Sequence, residues 1–519
     1  MRLARLLAAL PTYRLLGGTS AAGADTDILV SGIAYDSRMV RPGKIFVAVR
    51  GMREDGHHYA GDAVLRGAVA VVGEEPVEVP AHVVQVIVPD SREALSRLSA
   101  EFYGHPSRRL RVIGVTGTKG KTSTTYLIKA ILEAAGGRVG LIGTIQNLIG
   151  DQILPAHRTT PESTDLQALL WQMAEAGVDS VVMEVSSHAL ALKRVQDVAF
   201  DVAVFTNIGR DHLDFHPTPE EYLAAKKILF RSLQPISQDA LQREGAETAP
   251  LKSRRFAAIN RDDRAWQEVA EACAVPVLTY SLHSSEADIK ASILKMGLDG
   301  TRVRLDLPSG SLELALQLIG KFNVYNAAAA AAVGVGLGVA PAAIKSGLEA
   351  VAGVPGRFQR IRQGQPFEVV VDYAHTPDSL EQVLQAGREL GPRRLLVVFG
   401  CGGDRDKGKR PLMGAVAARC ADQVFITSDN PRSEDPESIC RQIEEGFLRE
   451  PNRVATRHEV IVDRRAAIRA ALAAARAGDL VVIAGKGHET YQEFARGRIH
   501  FDDAEVARQV LAELARGGA

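Results

Sequence analysis

The sequence predicts an α/β protein built in three domains. Three observations carry that expectation. The chain has 519 residues, and about 150 residues per domain gives three or four domains. Short aliphatic runs alternate with segments of helical periodicity, the pattern of mostly parallel sheets covered by helices. One such run leads directly into a glycine-rich loop and then a helix, an arrangement suited to binding phosphate.

Composition sets the bounds. Hydrophobic residues make up 46% and charged residues 24%, which excludes general disorder. Aromatics are only 5%, so aliphatic packing must dominate the cores. With 62 basic and 62 acidic side chains the formal charge is zero. That argues against a nucleic-acid partner held by a global basic field. Cys273, Cys401, Cys420 and Cys440 form no C-x-x-C pair and no zinc spacing with histidine. They read as reduced thiols of a cytosolic protein. The leucine-rich start, MRLARLLAALP, is cut by Arg5 and ended by Pro11. It reads as a short amphipathic helix rather than a signal peptide. No run of about 18 uncharged apolar residues occurs, so no membrane insertion is expected.

The first domain, 1–105, carries β-like runs at 44–49, 68–73 and 83–89, and YGHPSRR (103–109) reads as a linker. The second, 106–353, opens with the strand RVIGV, the loop and its helix. Further strands fall at 138–143, 180–185, 201–208 and 255–260. The polar stretch 235–253 reads as a surface excursion, and the alternation over 287–318 as antiparallel strands at a sheet edge. The alanine-rich run 324–339 reads as a closely packed buried helix. The third domain, 354–519, has strands at 367–373, 394–400, 423–429 and 480–485. Between them lie helices, one with Asp463 as N-cap and Gly478 as its stop. This is a doubly wound, Rossmann-like pattern, whose ligands bind beyond the carboxyl ends of the strands. The polar clusters stand at those ends: Asp372 to His375, GCGGDRDKGKRP, SDNPR and GKGHE.

In the loop Gly117-Thr118-Lys119-Gly120-Lys121-Thr122, glycines let backbone N–H groups face phosphate oxygens. Lys121 can reach the β/γ phosphates, and the Thr122 hydroxyl suits Mg²⁺. Val115 stands where the strict G-x-x-x-x-G-K-T pattern has glycine, so this is a shortened form. The alternative is a glycine turn with an exposed lysine. The central domain is therefore read as P-loop-type. Glu184 ends the strand SVVMEV, and TNIGRDHLDFH (206–216) supplies Asp211, His212, Asp214 and His216 at another strand end. Glu184 and His212 can share a metal there, or simply cap and bridge loops. Lys226, in EYLAAKKILF, reads by position alone as a helix-surface charge.

TGTKGKT, EVSSH, TNIGRDHLDFH, YLAAKK, GKFNVYNA, GRF and DYAHTPDS occur in this order. Together they resemble the Mur ligases, ATP-dependent amide ligases of peptidoglycan precursor synthesis. The match is closest to the members that add the third residue of the stem peptide. It spans roughly 35 to 490, and the family uses the same compact GT-x-GKT loop. The resemblance implies that ATP phosphorylates the D-Glu γ-carboxylate of UDP-N-acetylmuramoyl-L-Ala-D-Glu. An amine then attacks the acyl phosphate, releasing ADP and phosphate overall.

The resemblance also implies roles. Gly117, Thr118, Lys119, Gly120, Lys121, Thr122, Ser123, Asn323, Asn326, Arg357 and Asp372 would bind ATP. Lys121, Glu184, His212 and Lys226 would be catalytic. Thr122, Glu184, His212 and Lys226 would serve the Mg²⁺ sites, Lys226 as its carbamate. Ser37, Met52, Arg53, Glu54, Thr159, Thr160, Ser186 and Arg194 match contacts of the UDP-peptide. Leu192 stands where some relatives have glutamine. Arg405, Asp429, Asn430, Pro431, Arg432, Gly485 and Glu489 match the pocket for meso-diaminopimelate, which is lysine with a second carboxylate at its far end. A guanidinium can grip that carboxylate bidentately, and Glu489 can take the distal ammonium. Arg432 can alternatively pair with Glu434 or Asp435. A monomer in the cytoplasm, acting on small molecules, is expected. Two rivals are another member of the superfamily, such as a folylpolyglutamate synthetase, and a nucleotide-driven switch without ligase chemistry.

Overall fold

The computed structural model describes residues 1–20, 23–24, 26–51, 54–209, 211–212, 215–235 and 254–517. Most of the polar stretch expected as a surface excursion, and Met52, Arg53 and Asp214, lie outside them. The chain forms two compact units: 1–290 with 328–344, and 291–327 with 345–519.

The first unit contains two sheets. The smaller has the strand order Arg14–Leu16, Val84–Ile87, Ala70–Gly73, Lys44–Val47, Gly32–Ala34. All its pairings are parallel except the Arg14–Leu16 edge. The expected N-terminal helix forms over Leu3–Leu7. Its Leu3, Leu6 and Leu7, at i, i+3 and i+4, pack with Leu10 into this core. Helix Ser91–Phe102 starts where the Asp90 side chain accepts the Glu93 N–H, and it buries Ala94, Leu95 and Leu98.

The second sheet of this unit places the phosphate loop. Its central strands run Val139–Ile142, Ser180–Glu184, Arg111–Thr116, Val202–Phe205, Phe256–Asn260 and Val277–Ser281, all parallel. Apart from Arg111 and the first two residues of Val277–Ser281, these strands are buried throughout. Helices cover both faces, so these stretches appear in sequence as unbroken aliphatic runs. The alanine-rich helix spans Lys321–Leu337 and buries Ala328 to Val333 in this unit. Its close approach is real. A Cβ on Gly336 would sit 2.2 Å from the Phe256 ring. The hairpin Gln146–Ile149 and Gln152–Pro155 was not legible in sequence.

In the second unit, Gly300–Leu307 and Gly310–Leu316 form the expected antiparallel pair. The main sheet has the order Gln359–Ile361, Glu368–Asp372, Leu480–Ala484, Leu395–Phe399, Gln423–Ile426, Arg457–Val460. It is parallel except at the Gln359–Ile361 edge. Separate apolar cores lie on its two faces, as a doubly wound sheet requires. Strands Leu480–Ala484, Leu395–Phe399 and Gln423–Ile426 are adjacent, so the loops after them leave from neighbouring positions.

One expectation about a helix end is corrected. Asp463 caps the helix, accepting the Ala466 N–H, but the helix ends at Ala474 rather than at Gly478. Ala475 is already extended. Gly478, with φ 82°, shapes the turn into the next strand, bonding Pro366 and Arg393 through its backbone.

Candidate active site

The strand Arg111–Thr116 ends in the phosphate loop, and helix Lys121–Ala134 follows at once. Two glycines are demanded by geometry. Gly120 has φ 85°, and Gly117 has φ 148° with its absent Cβ only 1.9 Å from Thr206 Oγ1. The loop is pinned by the end of the neighbouring strand. Thr118 N–H donates to the Asn207 carbonyl, and Lys119 N–H donates to Asn207 Oδ1 at 3.0 Å. Thr206 Oγ1 and Asn207 Nδ2 both donate to the Lys119 carbonyl. The Lys121 ammonium folds over its own loop, donating to the Gly117 and Thr118 carbonyls at 2.9 and 3.0 Å.

Glu184 is buried at the end of its strand. Thr122 Oγ1 donates to Glu184 Oε2 at 3.0 Å. Thr144 donates to both Glu184 oxygens, from its N–H at 2.8 Å and its hydroxyl at 3.1 Å. The Thr144 hydroxyl also lies 3.0 Å from Thr159 Oγ1, whose own proton completes that hydrogen bond. Thr160 Oγ1 donates to the Glu184 carbonyl and accepts the Ser186 N–H. Arg194 reaches the Thr160 carbonyl and pairs with Glu162 at 2.8 Å. One hydrogen-bonded chain therefore joins Thr122 to Thr159, Thr160, Ser186 and Arg194. Thr144, the link in that chain, was missed in sequence. Its signal was position: it stands just past an aliphatic strand, beside the strand that carries Glu184.

Lys226 is not a surface charge. It is only 1% exposed, its Nζ lies 3.0 Å from the Gly117 carbonyl, and it sits 4.3 Å from the Tyr222 ring centroid. Burial, then the nearby Lys121 charge, push its amine well below an ordinary lysine, against an opposing pull from Asp211. Burial likewise pushes the Tyr222 phenol up to about 12. His212 has φ 54° and is exposed; its ring meets His188 edge-on at 4.7 Å and lies 6.1 Å from Tyr222. Thus Thr122 and Glu184 are in direct contact, Lys226 bonds the loop at Gly117, and both His212 and Lys226 lie against Tyr222. Among the described residues, the side chains that bring three metal-ligating atoms within 4.8 Å of one another are Asp55, His57 and Glu75.

Ser37 is buried at the start of the turn Ser37–Met39, and Glu54 accepts the Tyr59 hydroxyl at 2.9 Å. The hydrogen-bonded chain around Glu184 does not include either residue.

The second unit holds the remaining positions. Asn323 donates to the Ile319 carbonyl, and Asn326 Nδ2 donates to Asn323 Oδ1. Asp372 ends its strand and accepts the Phe358 and Ala374 N–H groups. The Arg357 guanidinium stacks 5.1 Å from the Tyr373 ring. Tyr373 also contacts His488, and burial followed by the Arg357 charge pushes that imidazole down to about 4. Gly356 is required here, with φ 64° and its absent Cβ 2.2 Å from the His488 backbone nitrogen.

Three loops converge into the pocket expected for the amino acid. Arg432, itself at φ 52°, pairs with Glu493 at 3.1 Å and donates to the Gly403 carbonyl at 2.7 Å. Its partner is thus neither Glu434 nor Asp435. Glu434 is taken by the fully buried Arg410 through both guanidinium nitrogens, which with the Asp404 N–H holds Glu434 at about 2. Arg405 is exposed on the loop after Leu395–Phe399. Pro431 backs the loop, its carbonyl 1.9 Å from where a Gly403 Cβ would stand. Asn430 donates to Glu489 at 2.8 Å, and a Gly485 Cβ would meet Asp429 Oδ2 at 3.0 Å. Arg464, buried with Asp503, donates to the Ser428 and Ala484 carbonyls. It thereby fixes the roots of two of the loops. Arg410 and Arg464 were missed because an arginine in sequence reads as surface.

Family models match three stretches: the Mur ligase family catalytic domain over 29–103, the middle domain over 115–334, and the glutamate ligase domain over 356–487. A UDP-N-acetylmuramoyl-L-alanyl-D-glutamate–2,6-diaminopimelate ligase of Syntrophomonas wolfei is 46% identical over 94% of this chain and 95% of its own length. One of the same name from Geobacillus thermodenitrificans is 45% identical over 99% of this chain and all of its own. A solved structure of a ligase of that name is similar at a TM-score of 0.67 and 34% identity, over 99% and 100% of the two chains. The phosphate loop, the Glu184 strand and the converging C-terminal loops fall within the matched stretches, and the chain belongs to the Mur ligase family.

Proposed function

We propose that this protein is an ATP-dependent amide ligase that adds meso-diaminopimelate to the D-Glu γ-carboxylate of UDP-N-acetylmuramoyl-L-Ala-D-Glu. The observation that carries this is the unbroken chain Thr122–Glu184–Thr144–Thr159. It joins a phosphate-binding loop to the strip assigned to the dipeptide, so phosphoryl donor and acceptor carboxylate are served by neighbouring groups. Near full-length identity to relatives of that name supports the same reading.

A carboxylate is a poor electrophile, and its γ-phosphorylation by ATP supplies a leaving group. The amine then attacks the acyl carbon, the C–O bond to phosphate breaks, and inorganic phosphate departs. The loop N–H groups and Lys121 hold phosphate oxygens, for which Lys121 must leave its present loop carbonyls. Arg194 and Thr160 orient the dipeptide, with Ser37, Met52, Arg53 and Glu54 assigned to the remainder of that substrate. Thr122 and Glu184 present hard oxygen donors suited to Mg²⁺, with His212 a further donor. When bound, that ion would neutralise charge on the transferring phosphoryl group. Lys226 is suited to carbamylation because only a neutral amine attacks CO₂, and its surroundings favour that form. The product is a carbamate anion and a proton. Asn323, Asn326, Arg357 and Asp372 are assigned to the nucleotide.

Three domains divide the work: 1–105 docks the UDP-sugar, 106–353 handles ATP, and 354–519 captures the amino acid. The enzyme is assigned to the cytoplasm as a monomer; among the described residues no helix is long and apolar enough to cross a membrane. The test is an amine panel assayed with the UDP-dipeptide and ATP. ADP release that needs both dipeptide and diaminopimelate is expected. ATP hydrolysis indifferent to both would favour the switch reading.

A further inference from the structure

Segment 206–209 follows the strand Val202–Phe205, and on one side it grips the phosphate loop. The residues that hold it on the other side have no role above. Against the strand Phe256–Asn260, the paired register ends at Phe205 and Ile259. Beyond that point two side chains, one at the end of the strand and one in the loop after it, take over. Asn260 is only 6% exposed, and its Nδ2 donates to the Thr206 carbonyl at 2.8 Å. Its Oδ1 accepts the Asp262 N–H at 3.1 Å, so both ends of the amide are used and its orientation is fixed. Asp263 Oδ2 accepts the Ile208 N–H at 2.9 Å, and its Oδ1 accepts the Ala265 N–H at 2.9 Å. The support is itself anchored, because Asp262 accepts the Ser281 hydroxyl and, at 2.7 Å, the Leu282 N–H.

Segment 206–209 thus lies between an anchored support and the phosphate loop. Toward the loop, Thr206 Oγ1 and Asn207 Nδ2 bond the Lys119 carbonyl, and Asn207 accepts the Thr118 and Lys119 N–H groups. Gly209 N–H donates to Thr118 Oγ1 at 2.9 Å. These bonds fix the approach to Gly120, and with it the direction in which helix Lys121–Ala134 presents its first N–H groups. A shift of the segment carries the loop with it. We infer that Asn260 and Asp263 are positioning residues for the nucleotide, acting on the phosphate loop through segment 206–209. The inference rests on the reading of that loop as the ATP site. General support of the fold would affect all three substrates, whereas a hold aimed at this segment falls on the nucleotide.

The test measures KM for ATP, for the UDP-dipeptide and for diaminopimelate, together with ADP affinity by calorimetry. It compares wild type with Asp263→Ala, Asn260→Asp and Asp288→Ala. In Asp263→Ala the ATP KM and the ADP Kd should rise about fivefold or more, as for one lost hydrogen bond. The other two KM values should stay within about twofold on the same scale. Asn260→Asp sets a buried carboxylate against the Thr206 carbonyl and should weaken ADP further. Should it fail to fold, the half-buried Asp263 carries the test. Asp288→Ala is the control, since it frees the Thr279 N–H and hydroxyl on the next strand instead of the groups of the segment. Its ADP affinity should match wild type. Unmoved ATP KM and ADP affinity in Asp263→Ala, a common rise of all three KM values, or an equal ADP loss in Asp288→Ala overturns the inference. A wild-type protein that binds no ADP would instead overturn the reading of the loop as the ATP site.

Discussion

The phosphate loop and the amino-acid pocket solve opposite recognition problems. The loop serves a group common to all nucleotides, and it does so with backbone: Gly117 and Gly120 open the turn, and Thr206 and Asn207 hold it. The pocket proposed for the amino acid would have to tell one from another, and it offers charge: fully buried Lys486 with Asp429 and Glu489, and the half-buried Arg432–Glu493 pair. Backbone recognition needs contiguous residues with special dihedrals, so it is written as a motif. Charge recognition needs side chains from separate loops at fixed distances, so it depends on what holds those loops. Here Arg464 and Arg410 hold them.

That contrast can be broken at its support. Arg464→Met leaves Asp503 buried without its partner and frees the carbonyls of Ser428 and Ala484. A loss of about 3–5 kcal/mol is expected, read as a lowered melting temperature. Nucleotide protection by the phosphate loop should survive wherever the protein stays folded.

The converse test lies at the loop. Lys226→Ala should reduce turnover about 10²–10³-fold, comparable to removing one group that stabilises transition-state charge. The melting temperature should change far less, and amine KM hardly at all. Native mass should show one bound CO₂ in the wild type and none in the variant. Full activity in the variant would falsify the carbamate assignment.

A third test uses pH. His488 is held at about 4, below the ordinary 6.5 of histidine. The unfolded chain therefore takes up this proton first as pH falls. The contribution is present above 6.5 and is lost progressively towards 4, at most about 3 kcal/mol in all. Melting curves from pH 7 to 4.5 should be less steep in pH for His488→Asn than for wild type.

The smallest expected effect sharpens the pocket itself. Arg432→Ala should cost about 1.5–3 kcal/mol in diaminopimelate kcat/KM, as for a charged hydrogen bond, and leave ATP KM unchanged. Equal losses with lysine and diaminopimelate would remove Arg432 from the carboxylate-binding role.

Lys226 and Thr144 mark the limit of legibility. Lys226 sits in a helix whose spacing gives no hint of burial, and only the packing of that helix against the loop strand buries it. Thr144 looks like the end of a strand until the neighbouring strand brings Glu184 to it. Arg432 shows the same limit from another side, because its partner Glu493 lies 61 residues away. The sequence by itself determined the α/β class, the strand runs, the phosphate loop and the family resemblance, because these depend on local periodicity and contiguous motifs. The tertiary structure alone decided which charges are buried and which face one another. Burial and pairing are properties of distant segments brought together, and in a low dielectric they lower the Lys226 amine below an ordinary lysine and seat Lys486 among Asp429, Asn430 and Glu489.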